Sequence, residues 1–315
     1  MSEKAILFDS SHCTGCKGCQ VACKCWNDLP SPTGLNECLD SFTGSYQNPA
    51  DLNGDTRLIM TFSESEGGSK GVQWAFGRRG CQHCTDAPCA TICPSGALTV
   101  NEDTGMVNVD DSKCIGCHYC GAACPFDVPR YYGDKGIINK CTGCPDRIEQ
   151  GMEPACVTAC QPDALQFGDR DEMIERAYER VDFLQGLGYE NASVYGEDEV
   201  GGSHVIHVLK YSLDQYTLPE NPEKPAFVDI TQVMKPVTGL ASGVTVLGLT
   251  AMFLLGIGYK RDDLAYNEET QDTLDVQTGE VIKHGDGQDE ESVIEHITEN
   301  LPIDIPVGKG EDKDE

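Results

Sequence analysis
The segment CTGCKGCQVACKCW, Cys13 to Trp26, packs five cysteines into thirteen residues, and four of them keep a strict spacing. Cys13, Cys16, Cys19 and Cys23 read C-x2-C-x2-C-x3-C, and Cys114, Cys117, Cys120 and Cys124 repeat that spacing with Pro125 behind it. Cys81, Cys84, Cys89 and Cys93 form a variant with a middle gap of four, followed by Pro94. Cys141, Cys144, Cys156 and Cys160 stretch the same gap to eleven. Sixteen of the 18 cysteines fall into these four groups, leaving Cys25 and Cys38 over.

Thiols in such tight runs lack the geometry to bridge one another as disulfides, and suit metal ligation instead. Zinc sites use two separated pairs that close locally, often with histidine. Three cysteines two residues apart plus a fourth three further on fit a [4Fe-4S] cluster, with the first three on one loop at three corners of a cubane. The fourth enters a short helix and is carried towards the cluster of a second group. Gly15, Gly18, Gly116, Gly121 and Gly143 suit loops whose backbone approaches sulfur closely and donates N–H bonds to it.

Four groups make two dicluster modules, and the connections decide the pairing. PSGALTVNEDTGMVNVDDSK, between the two inner groups, reads as a hairpin of GALTV and MVNVD around a turn at Asn101 to Gly105. That is the connection expected inside one ferredoxin-like unit, so the outer groups pair around it. The ligand sets expected are Cys13, Cys16, Cys19 with Cys160; Cys141, Cys144, Cys156 with Cys23; Cys81, Cys84, Cys89 with Cys124; and Cys114, Cys117, Cys120 with Cys93. Sequential pairing, first group with second, is the alternative, and it leaves the hairpin unexplained.

The expected fold is α+β: two ferredoxin-like dicluster modules, one inserted in the other, plus one C-terminal transmembrane helix. Residues 1–30 and 133–170 would form the outer module, 31–74 a connecting insertion and 75–132 the inner module. Residues 171–235 would be an accessory segment leading to the membrane, 236–260 the transmembrane helix and 261–315 an acidic, disordered tail. The span rests on Val237 to Tyr259, 23 residues without a charge, long enough as a helix to cross a hydrocarbon core of roughly 30 Å. Lys260 and Arg261 follow it, and the positive-inside tendency places that end in the cytoplasm, against which Lys224 and Lys235 weigh on the other flank. Residues 262–315 hold 18 acidic and 3 basic side chains with no sustained apolar period, too little to offset the entropy of ordering.

A net charge of −29 excludes nucleic acid as a partner. The start, MSEKAILFD, has an apolar run too short for a signal peptide, so the chain stays inside the cell or is exported with something else. No G-x-G-x-x-G follows a strand, no P-loop is present, and the seven histidines form no metal or nucleophile motif. Every cysteine quartet is complete, whereas radical or hydratase chemistry needs an iron without a protein ligand, so the chain reads as an electron wire with no catalytic site of its own. His83 and His118 stand in spacer positions and are read as supporting or surface residues. Cations abut several groups in GRRGC, DSKC and NKC; a positive charge near a cluster would favour its reduced state and raise its potential, the alternative for each being an ordinary solvated charge. Cys25 is expected to be a small buried apolar residue.

The series QVACKCWND, NPADL, GCQHCTDAPC, CIGCHYCGAACPFDVPR, KCTGCPDRIEQGMEPACVTACQPDALQFG and VGGSHVIHVL resembles the iron-sulfur (beta) subunit of membrane-bound, quinone-linked formate dehydrogenase, in order from about Ala5 to Tyr259. The resemblance implies four [4Fe-4S] clusters between a molybdenum or tungsten pterin catalytic alpha subunit and a membrane cytochrome b gamma subunit with haem, at the lipid bilayer. It implies the same pairing, with the outer module nearer the catalytic subunit and the inner module nearer the haem. It also implies a cluster body on the periplasmic side, exported with the catalytic subunit, and a cytoplasmic tail. Cys23 is followed by Lys24, and Cys160 by Gln161 and Pro162, so the proline that follows the fourth cysteine in the other groups is missing there. Related subunits serve polysulfide, tetrathionate, nitrate or arsenate reductases and membrane hydrogenases; NPADL and VGGSHVIHVL point to formate.

Overall fold
The computed structural model describes residues 3–30, 46–67, 71–256 and 264–283, and the chain divides into two units, Met1–Thr238 and Gly239–Glu315. The first half carries β1 (Lys4–Asp9), α1 (Gly18–Trp26), β2 (Leu58–Glu66), β3 (Val72–Gly80), α2 (Pro88–Ile92), β4 (Leu98–Val100), β5 (Val107–Val109), α3 (Tyr119–Ala123), β6 (Arg130–Tyr132) and β7 (Ile137–Asn139). There follow α4 (Pro145–Ile148), α5 (Ala155–Thr158), β8 (Leu165–Asp169), α6 (Arg170–Gly186), β9 (Ser193–Tyr195), β10 (Val205–Leu209), α7 (Ala226–Gly256), β11 (Leu264–Tyr266), β12 (Thr273–Asp275) and β13 (Val281–Lys283).

The strand KAILFD is apolar at four consecutive positions because both of its faces are covered. Ala5 and Leu7 pack with Met173, Ala177, Val181 and Leu184, a stripe at helical spacing along α6. Ile6 and Phe8 pack on the other side with Cys19, Cys23, Cys156 and Leu165. β1 is central in a four-stranded sheet of order β8-β1-β10-β9, antiparallel to β8 and parallel to β10. Strands that follow the last cysteine of the four groups thus return to the strand that precedes the first. VIHVL, all of it buried, is β10; residues 171–235 therefore supply two strands and the covering helix of this sheet as well as a path towards α7.

The hairpin expected from GALTV and MVNVD is present as β4 and β5, with Leu98 opposite Val109 and Val100 opposite Val107. Its turn is closed by Gly105 N–H donating to the Asn101 carbonyl at 2.8 Å, while Asn101 Oδ1 accepts from Asp103 and Thr104 N–H, each at 3.0 Å. The longer hairpin β2–β3 is two-sided: Leu58 and Met60 join the core that holds Cys19 and Cys156, and Ile59 and Ala75 join the core that holds Cys81, Cys84 and Cys141. It spans the boundary expected at residue 74. NPADL is fastened beside it, since Asp51 accepts from Arg79 at 2.5 Å and from Arg130 at 2.9 Å, and Arg130 also grips Asp127 at 2.7 Å.

α7 begins ten residues before the expected span, with Lys224 paired to Asp229 of its first turn at 2.7 Å. Its segment Thr238–Leu255 has a mean hydropathy of 1.8 and is long and apolar enough to cross a membrane, with none of it buried within the protein. Thr238, Thr245 and Thr250 turn their hydroxyls back onto carbonyls four residues earlier, at 2.8 to 3.0 Å, which removes three polar groups from an apolar surface. The tail departs from expectation: Leu264–Lys283 forms an antiparallel meander, β11-β12-β13. Local turn chemistry builds it, with Asp275 Oδ1 accepting from Gln277 N–H at 2.8 Å and Gly279 at φ +74 closing the second turn. Residues 284–315 and Cys38 lie outside the described residues.

Leu7 is 4% exposed between β1 and α6, so Leu7→Ala should cost about 2–5 kcal/mol through the cavity left behind. Thermal unfolding of the purified protein should show a clear drop for this variant and almost none for Tyr178→Ala, whose side chain is exposed on the other side of α6.

Candidate iron-sulfur centres
In all four groups the residue before the second cysteine is left-handed: Gly15 (φ 65), His83 (φ 51), Gly116 (φ 64) and Gly143 (φ 78). That turn bends each loop so that consecutive thiols face inwards. A side chain at Gly15 would strike Phe62 and Phe76, and one at Gly143 would strike Met106, so glycine is required there for space as well as for conformation. In the first and third groups the residue after the second cysteine is left-handed too, at Lys17 and His118, and each starts the short helix that carries the remaining cysteines. Backbone N–H groups point at sulfur throughout: Gly15 to Cys13, His83 to Cys81 and Ile138 to Cys114, each at 3.4 Å, and Leu165 to Cys160 at 3.3 Å.

A pocket bounded by Cys13, Cys16, Cys19 and Cys160 lies against Phe8, Met60 and Leu165. Burial, with Cys160 and Cys16 as neighbouring thiols, pushes Cys13 up to about 11; burial also pushes Cys19 up to about 12, with Cys13 and Cys160 beside it. Cys23 sits elsewhere. It is raised to about 12 by burial and by Cys141 and Cys144, and Cys156, driven well above the ordinary thiol value by burial, has Cys141, Cys23 and Cys144 around it. Cys84 is raised by burial beside Cys81, Cys124 and Cys89. Cys120, raised to about 12 by burial, neighbours Cys117, Cys93 and Cys114. Cys89 has Cys120 nearby in addition to Cys81 and Cys124, so the two inner gatherings adjoin.

Cys25 is exposed, not buried as expected. The helix α1 buries Cys19, Gln20 and Cys23, and a residue two positions past Cys23 is turned about 200° around the axis, onto the solvent side. Trp26 beside it stacks on Arg147 at 4.3 Å and donates to Asp146 at 2.9 Å, tying the end of α1 to the fourth group.

Of the cations next to the groups, burial separates two from the rest. Arg79 and Lys113 reach surface carboxylates, Asp51 and Asp110. Arg78 is 2% exposed and Lys140 1%. Lys140 donates to the carbonyls of Val107 at 2.6 Å and Cys141 at 2.9 Å. Arg78 donates only to the Cys81 carbonyl, at 3.4 Å, while its Nε and Nη2 have no partner among the described residues. A guanidinium taken out of water without an anion is costly, and thiols crowded until their ionisation is suppressed lack a cation. Both faults are cured by one group: an iron-sulfur cluster ionises the thiols, and with four thiolates around it is itself a net anion. Among the described residues no three Cys, His, Asp or Glu side chains gather tightly enough for one metal ion; ligands of one zinc would stand about 4 Å apart, whereas the corners of a cubane are wider.

His83 does more than fill a spacer. It is fully buried, its Nδ1 accepts from Val107 N–H at 2.9 Å, and Nε2 must therefore carry the proton that it donates to Cys141 Sγ at 3.4 Å. Burial first, then Lys140 and Arg78, hold it neutral. A residue of the second group's loop thus touches the first thiol of the fourth group. The signal for it is the histidine standing where the other three loops have glycine. His118, by contrast, packs on Tyr131 with ring centroids 4.4 Å apart.

A family described as 4Fe-4S dicluster domain matches residues 72–170. The chain is 40% identical over 266 residues to the nitrate-inducible formate dehydrogenase iron-sulfur subunit of Escherichia coli (strain K12), covering 83% of this chain and 87% of that one. The formate dehydrogenase iron-sulfur subunit of Haemophilus influenzae is 40% identical over 80% of either sequence. A polypeptide of the anaerobic dimethyl sulfoxide reductase of Escherichia coli (strain K12) is 37% identical over 55% of the present sequence and 76% of its own. With 40% identity over most of both sequences, the chain belongs to the family of formate dehydrogenase iron-sulfur subunits.

Proposed function
We propose that this chain relays electrons from a molybdenum or tungsten pterin formate dehydrogenase subunit to a membrane cytochrome b and the quinone pool, through four [4Fe-4S] clusters in two nested ferredoxin-like modules. Cys13, Cys16, Cys19 and Cys160 would hold the first cluster, and Cys141, Cys144, Cys156 and Cys23 the second. Cys81, Cys84, Cys89 and Cys124 would hold the third, and Cys114, Cys117, Cys120 and Cys93 the fourth. The observation that carries the reading is the company each fourth cysteine keeps: Cys23 is beside Cys141 and Cys144, and Cys160 beside Cys13 and Cys19. The inner exchange has the same support, from Cys124 beside Cys84 and Cys93 beside Cys120.

A bound cluster supplies a site for one electron and no proton chemistry. The chain's own residues set the conditions for the transfer. Backbone N–H groups and His83 Nε2–H donate to sulfur, which favours the reduced form. Phe8, Met60 and Leu165 keep water from the first site, while Leu58 and Met60 on one face of β2–β3 pack with Cys19, Cys23 and Cys156, and Ile59 on the other packs with Cys81, Cys84 and Cys141. The link from His83 to Cys141 supplies a polar connection between the second and third sites. Thr238–Leu255 would anchor the chain in the bilayer beside the cytochrome, with the cluster body on the periplasmic side and the tail in the cytoplasm.

The purified complex should yield about sixteen irons and as many acid-labile sulfides per copy of this chain beyond those of its partners. Cys23→Ala should damage the cluster of Cys141, Cys144 and Cys156, seen as one altered paramagnetic signal, with the other three retained; damage confined to the cluster of Cys13, Cys16 and Cys19 would refute the exchange. For the topology, a tag at the N-terminus should be reached by antibody in intact spheroplasts and a tag after Glu315 only once the membrane is opened. The reverse pattern would place the cluster body in the cytoplasm.

A further inference from the structure
Arg78 occupies a position that a solvated or merely structural arginine would not. On β3 it faces Met60 across the hairpin, and Met60 lines the pocket of Cys13, Cys16, Cys19 and Cys160. Two of its three guanidinium nitrogens are buried without a partner, and the third reaches only a backbone carbonyl. No carboxylate is paired with it among the described residues, although the chain carries 52 acidic side chains. It stands on the face of the hairpin whose Leu58, Met60 and Phe76 pack in one core with Cys19 of the first set and with Cys23 and Cys156 of the second, and its charge acts on all three of those thiols.

We propose that Arg78 is the shared counter-charge of the two outer clusters, raising both of their reduction potentials so that an electron meets no large step between them. The proposal rests on the four ligand sets above. A fixed positive charge stabilises the reduced, more negative form of whichever cluster it adjoins. One cation placed between two clusters lifts both, each according to its distance from the charge. Retention of a buried guanidinium then follows from the anions on either side, which repay the cost of its desolvation. Lys140, which neighbours Cys89 and is bonded at Cys141, stands in a comparable place towards the inner module.

The test is a redox titration of the intact complex followed by paramagnetic resonance, for the native chain, Arg78→Gln, Arg78→Lys and Arg79→Gln. In Arg78→Gln the two outer signals should fall together in midpoint potential, each by about 59 mV or more, which for one electron is a tenfold weaker reduction; the two inner signals should move less. Arg78→Lys should recover most of the shift, and Arg79→Gln, which removes the neighbouring cation paired with Asp51, should show none. Unchanged potentials in Arg78→Gln at full iron content would overturn the proposal, as would a shift of one outer signal alone or equal shifts of all four. Loss of iron in both Arg78 variants would also overturn it, by making the residue a structural support. The ligand sets fail by a separate route, through the iron count of the native complex and the signal altered by Cys23→Ala.

Discussion
Across β1 and β8, Ile6 is opposite Phe167 and Phe8 opposite Leu165. That antiparallel pairing brings a loop beginning at Cys13 and a helix ending near Cys160 to one side of one sheet, although they are more than a hundred residues apart. The register cannot slip. A shift by one residue would turn Ile6 and Phe8 towards α6 and Ala5 and Leu7 towards the cysteines, exchanging the two cores on either face of the strand. Parallel pairing of β1 with β10, Ile6 beside Val205, then closes the other edge and makes the strand central. The site of Cys13, Cys16, Cys19 and Cys160 therefore depends on contacts made by segments that hold no cysteine.

Burial of so many thiols is the energetic problem that the rest of the molecule answers. Cys13, Cys84 and Cys156 are pushed away from ionisation by their loss of water, and the crowding of neighbouring thiols adds to that. The chain offers three kinds of compensation: N–H groups aimed at sulfur by left-handed turns, a neutral histidine whose tautomer is fixed by Val107, and two buried cations. All three favour negative charge on the sulfurs.

Much of this is legible in the sequence because cysteine spacing is a geometric statement: x2 and x3 gaps leave few ways to aim thiols, and the β4–β5 hairpin announces itself by alternation around Asn101 to Gly105. The apolar helix is legible for the same reason, from length and the absence of charge. What cannot be read is anything decided by distant packing. VIHVL stands out only as part of a likeness, since nothing local says that it inserts beside β1. Cys25 resembles its buried neighbours until the helix turns it outwards. The tail lacks an apolar period, yet Leu264–Lys283 gains its three strands from turn residues that need no core.

Arg78 and Arg79 show the limit most sharply, because they are adjacent and identical in type. A strand sends successive side chains to opposite faces. On β3 the even positions Phe76 and Arg78 face the core of the outer cysteines, while Arg79 faces Asp51 at the surface. Which arginine is buried is therefore fixed by the parity of the hairpin, and that parity is fixed in turn by Phe76, which packs against Gly15 of the first cysteine loop and opposite Phe62. A glycine required by the cysteine loop admits an aromatic ring, the ring sets the face of the strand, and the face delivers the charge two residues on.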